Sequence, residues 1–64
     1  MMDKMTMRTL RQIAGLTQVE AAEKLSVSAT TLIKWEQGKT YPSAKKLAQM
    51  AELYGCTMSD FLIV

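Results

Sequence analysis

Histidine is absent from this chain of 64 residues, and cysteine and proline occur once each. Without an imidazole, the hydroxyls of Ser28 and Thr30 have no histidine base to activate them. The sequence also holds no glycine-rich phosphate loop and no cluster of metal ligands. These absences exclude the common enzyme classes, and no metal, cofactor or small-molecule ligand is expected. Cys56 alone cannot close an intrachain disulfide, which fits a reducing compartment and a role as a small buried hydrophobe. No apolar run approaches the roughly 18 residues that a bilayer span requires. The opening stretch, MMDKMTMRTL, interrupts its methionines with charge and hydroxyl and lacks the apolar core of a signal peptide. A cytoplasmic protein without membrane contact is therefore expected.

Hydrophobic residues make up 48% and charged residues 22%, a balance that permits a core. At this length the expectation is a single domain over residues 1–64, burying roughly 60% of its unfolded surface. The formal charge of +2 is too mild to point to nucleic acid by itself.

Gly15, Gly38, Pro42 and Gly55 punctuate the chain, and the apolar spacing between them is helical. A first helix is expected over about residues 4–14, with Met7, Leu10 and Ala14 on one face and Gly15 closing it. Thr17-Gln18-Val19-Glu20 has the form of a capping box, and Ala21, Ala22 and Leu25 give the second helix its inner face. Ser26-Val27 is a turn, Ser28 an N-cap, and the third helix covers about residues 29–37 with Leu32 and Trp35 inward. Pro42-Ser43 opens a fourth helix with Ala44, Leu47, Ala51 and Tyr54 inside, which Gly55 ends. Thr57-Met58-Ser59-Asp60 resembles a second capping box and predicts a short fifth helix through Phe61 and Leu62. The predicted fold class is all-α, a compact bundle of five short helices.

Two helices of about eight residues joined by a three- or four-residue turn make a helix-turn-helix unit, here about residues 17–37. Many helical hairpins share that turn, but residues 16–38, LTQVEAAEKLSVSATTLIKWEQG, carry more. Leu16-Thr17-Gln18, Ala21-Ala22, Val27-Ser28, Leu32 and Trp35-Glu36-Gln37-Gly38 resemble the pattern of the lambda-repressor/Cro-type (XRE) family. Met7-Arg8-Thr9-Leu10-Arg11 resembles that family's first helix, and Pro42-Ser43 and Leu53-Tyr54-Gly55-Cys56-Thr57 the bounds of its fourth. About nine tenths of the chain is covered. Two positions depart: Ser26 stands where glycine is usual and would be left-handed at about 1 kcal/mol, and Ala21 stands where leucine is frequent, leaving space that Trp35 is expected to fill.

The resemblance implies sequence-specific binding of double-stranded DNA by a transcriptional regulator, a repressor in the first instance, with the third helix in the major groove. The outward side of that helix carries Ala29, Thr30, Ile33, Lys34 and Gln37 as base-contact candidates. Ala29 and the Thr30 methyl suit thymine methyl groups, and Lys34 suits the guanine O6/N7 edge. Ile33 is unusual there and is left as a thymine contact, a partner surface or a tolerated apolar residue. Phosphate contacts are expected from Gln18, Thr17, Lys39, Thr40, Tyr41 and Ser43; Lys45 and Lys46 are equally consistent with a solvated outer face. The family places an ion pair at Arg11 and Glu36, and Gln18 as a brace for the third helix. The alternative is a protein-interaction module of the same fold, of antitoxin or antirepressor type.

The apolar run Phe61-Leu62-Ile63-Val64 is either a frayed terminus or half of a two-fold interface. Because one recognition helix covers few base pairs, a homodimer on a palindromic operator is expected, weak off DNA, through Met58, Phe61, Leu62, Ile63 and Val64.

Overall fold

Among the described residues, every α-helix starts on a hydroxyl and is closed by a left-handed residue. In the computed structural model, which describes residues 5–61, α1 spans Met7–Ile13, α2 Gln18–Lys24, α3 Ala29–Glu36 and α4 Ala44–Tyr54. The N-caps Thr6, Thr17, Ser28 and Ser43 have extended backbone. Each hydroxyl accepts the amide three residues on, at 3.1–3.2 Å, satisfying a donor the helix cannot. At Thr17 the box closes from both sides, because Glu20 Oε1 accepts the Thr17 amide at 2.9 Å. The Thr17 amide, and then its hydroxyl, hold the Glu20 carboxyl below the ordinary carboxylate range. Because Thr6 is the cap, α1 starts at Met7 rather than at the expected Lys4, which lies outside the described residues.

The C-terminal ends repeat one pattern of backbone bonds. Gly15 donates to Gln12 and Leu16 to Arg11; Ser26 donates to Glu23 and Val27 to Ala22. Gly38 donates to Trp35 and Lys39 to Lys34; Gly55 donates to Glu52 and Cys56 to Ala51. This is the Schellman arrangement, which needs a residue of positive φ at the reversal. Ser26 adopts it at φ 59°, as its place in the turn led one to expect. A side chain there costs about 1 kcal/mol relative to glycine.

The predicted fifth helix is replaced by one 3₁₀ turn, Met58–Asp60, after which Phe61 is extended. Asp60 Oδ2 accepts the Thr57 amide at 2.9 Å and its hydroxyl at 3.0 Å, so the expected cap partner is present. The helix does not propagate because the backbone beyond the turn pairs elsewhere. Met5 donates to the Asp60 carbonyl at 3.0 Å and forms a parallel bridge with Phe61. The described residues therefore form a bundle of four α-helices and a terminal turn.

All four helices and Phe61 share one core. Met7 and Leu10 enter from α1, Ala21, Ala22 and Leu25 from α2 and its cap, Leu32 and Trp35 from α3, and Met50, Ala51 and Tyr54 from α4. Two inner positions differ from the sequence reading. Ala14 is the exposed C-cap of α1, and its face is completed by Arg11. Ala44 is exposed in the first turn of α4, whose inward stripe runs from the half-buried Leu47 through the buried Met50, Ala51 and Tyr54 at helical spacing. Phe61, expected at a dimer interface, is only 2% exposed and packs edge-on against Tyr54 with ring centroids 6.3 Å apart. Its side chain belongs to the chain's own core. The Tyr54 hydroxyl is buried without a hydrogen-bond partner among the described residues, and burial pushes its pKa up to about 12. Cys56 is half-buried rather than buried, and burial raises its thiol.

Candidate nucleic-acid interface

α3 has two sides with opposite chemistry. Inward, Leu32 is fully buried and Trp35 is 8% exposed. Outward, Thr30, Lys34 and Gln37 are exposed, at three- and four-residue steps that place them on one face. Ala29 and Ile33, expected on that outward side, are half-buried. Ala29 packs against the core, and Ile33 forms part of the wall between α3 and α1.

The position of α3 is set by a buried ionic network. Arg11 Nε donates to Glu36 Oε2 at 2.8 Å, and the two side chains are 8% and 4% exposed. The Arg11 Nη1 group donates to the Leu16 carbonyl at 2.8 Å, and Gln18 Nε2 donates to Glu36 Oε1 at 3.1 Å. One carboxylate thus joins α1, the first turn of α2 and α3. A buried pair of this kind adds little net stability against an apolar replacement, yet losing one member leaves a charge without compensation. Its value here is positional, because it fixes α3 against two other helices.

Beside this network lies a polar cleft of about 170 Å³, lined by Arg8, Arg11, Gln18, Ile33, Glu36 and Gln37. Arg8, which the reading of the sequence gave no role, is exposed at its rim. Its signal was a basic residue three before Arg11, one helical step along the same face.

The remaining phosphate candidates lie at helix starts and in the loop after α3. Thr17 and Ser43 are exposed hydroxyls that already accept cap bonds and keep a hydrogen to donate. Lys39, Thr40 and Tyr41 are exposed between α3 and α4. Lys45 is exposed, but Lys46 is half-buried and donates to the Leu25 carbonyl at 2.6 Å. Lys46 is therefore a tie between α4 and the end of α2. Met58 is exposed, and Leu62, Ile63 and Val64 lie outside the described residues. Among the described residues no group of three Cys, Asp or Glu side chains converges, and no helix is long and apolar enough to cross a membrane.

The chain matches the helix-turn-helix family over residues 7–61. It is 37% identical over 60 residues to an uncharacterized HTH-type transcriptional regulator of Methanocaldococcus jannaschii, covering 94% of this chain and 91% of that protein. It is 38% identical over 56 residues to the HTH-type transcriptional activator BcrR of Enterococcus faecalis, covering 88% of this chain and 28% of BcrR. It is 35% identical over 57 residues to the HTH-type transcriptional regulator ImmR of Bacillus subtilis, covering 89% of this chain and 44% of ImmR. The chain thus spans less than half the length of BcrR and ImmR. With the capped helix pair, the turn at Ser26 and the match over residues 7–61, the chain belongs to the lambda-repressor/Cro-type helix-turn-helix family of DNA-binding transcription regulators.

Proposed function

We propose that this chain is one helix-turn-helix domain, unit 17–37, that binds duplex DNA sequence-specifically and represses transcription. The observation that carries this reading is the pairing of an anchored inner side of α3 with the exposed outer residues Thr30, Lys34 and Gln37. A helix fits the major groove, where donors, acceptors and thymine methyls distinguish the four base pairs. Lys34 reads a guanine edge, Thr30 contributes its methyl and hydroxyl, and Gln37 reaches an adenine or a neighbouring base. Ala29 and Ile33 contribute apolar contact from the two flanks. Thr17, Gln18, Lys39, Thr40, Tyr41 and Ser43 face the backbone and set register rather than sequence.

The chemistry is binding alone, without enzyme activity, cofactor or membrane contact, in the cytoplasm. A homodimer on a palindromic operator supplies the discrimination that one helix lacks, with weak pairing off DNA. With Phe61 in the core, that pairing is assigned to Met58 and the residues beyond Phe61.

Selection of bound sequences from a random duplex pool tests the whole reading. The expected result is an enriched palindrome with half-sites about one helical turn apart, bound with steep salt dependence. Absence of enrichment, with weak and salt-insensitive binding, would instead fit docking to a protein.

A further inference from the structure

We infer that Lys46 is a positioning residue for base reading: its ammonium, reaching across from α4, holds the left-handed turn at Ser26 in the form that aims α3 at the major groove. The inference rests on the DNA-binding reading above and deepens it, by assigning the placement of the reading helix to a side chain outside the helix-turn-helix unit.

Three observations carry it. Lys46 is half-buried in the first turn of α4, and its Nζ donates to the Leu25 carbonyl at 2.6 Å. That carbonyl belongs to the peptide joining Leu25, the C-cap of α2, to Ser26. Ser26 is the one non-glycine residue of positive φ among the described residues, at 59°, where a side chain is at a disadvantage. Finally, α2 packs mainly on α3, and among the described residues its backbone scarcely approaches that of α4. The bond from Lys46 therefore spans two elements whose backbones stay apart.

The chemistry suits an anchor. The last carbonyls of a helix lack partners within it, and that end of the helix dipole favours a cation. A charge-assisted bond holds such a carbonyl more firmly than a neutral donor does. Because the peptide is planar, fixing its carbonyl restrains ψ of Leu25 and φ of Ser26, the rotations that open the turn into α3. The Ser26 and Val27 amides, which donate to the Glu23 and Ala22 carbonyls, close α2 just beyond that peptide. An ammonium committed in this way acts on DNA through α3, so its loss falls on the sequence-dependent part of binding.

Lys46→Met keeps an unbranched apolar stem and removes the ammonium. Amide hydrogen exchange of the full chain, and titration with a selected and a random duplex at several salt concentrations, read the effect on folded protein. Exchange at Ser26 and Val27 should quicken roughly tenfold, while the amides within α1 keep the parent rate. Affinity for the selected duplex is expected to fall roughly tenfold, that for the random duplex to hold, and the salt slope to stay at the parent value. Adding Ser26→Gly should restore most of the loss, because glycine is at ease at positive φ without the tie. An equal loss on both duplexes, with a slope shallower by about one unit, makes Lys46 a phosphate contact and overturns the inference. Unchanged exchange at Ser26 and Val27 overturns it too, as does an undiminished preference for the selected duplex or a failure of Ser26→Gly to restore it. A parent protein that binds neither duplex overturns the DNA-binding reading and the role in base reading with it, whereas the exchange result decides the tie at Ser26 in either case.

Discussion

The two sides of α3 differ in what holds them. On the inner side Leu32, Trp35 and Glu36 are packed or bonded, and Glu36 answers to two other helices at once. On the outer side Thr30, Lys34 and Gln37 are exposed, and they are free to vary without altering the bundle. The helix is therefore a fixed platform carrying a replaceable reading surface. In such a platform, changes on one side should reach binding only through the fold, and changes on the other should reach binding alone.

The largest effect is expected from Trp35→Ala, which empties the centre of the inner side. Loss of a buried indole costs roughly 3–5 kcal/mol, a large share of the stability of a domain this small. Circular dichroism should show loss of helix at room temperature; a stable, helical Trp35→Ala would break the comparison at its root. Glu36→Gln comes next, because Arg11 stays buried without its counter-charge. Urea titration should register about 3 kcal/mol of destabilisation. A neutral result would show that the ion pair does not anchor α3.

Ser26→Gly should act in the other direction. It removes the left-handed penalty at the turn joining α2 to α3 and should raise stability by about 1 kcal/mol, or several degrees in Tm. Tyr54→Phe is the smallest change, near neutral at pH 7, since it deletes a buried hydroxyl that lacks a partner. Its effect emerges in alkali. The folded pKa of about 12 lies above the ordinary value of 10, so the folded state holds the phenol proton more tightly than the unfolded chain does. The resulting stability is complete below pH 10 and lost as pH rises towards 12. Thermal melts between pH 9 and 12 should therefore fall less steeply for Tyr54→Phe than for the parent.

Much of this was legible because local chemistry decided it. The N-caps Thr17, Ser28 and Ser43 were hydroxyl residues followed by helical spacing, and three helix ends carried glycine, whereas Thr6, the cap of α1, lies inside the first helix that the spacing predicts. The Arg11–Glu36 pairing came from family resemblance, since nothing local links residues 25 apart. What stayed hidden depended on tertiary pairing. The residues after Thr57 have the cap of a helix, but the bridge between Met5 and Phe61 draws the chain out into extended backbone. The same pairing buries Phe61, which looked like half of an apolar surface. Lys46 read as a solvated charge because its acceptor, the Leu25 carbonyl, is supplied by another helix. Arg8 was overlooked for the same reason, since its cleft exists only once three helices meet.

The measurement closest to the central claim is binding of Lys34→Ala to a selected duplex and to duplexes altered one base pair at a time. With Lys34 reading a guanine edge, the best site should weaken by about 1–3 kcal/mol and preference should relax at a single position. The melting temperature should stay at the parent value, because Lys34 is on the exposed side. An unchanged preferred sequence at every position would contradict the assignment of the outer side of α3 as the reading surface.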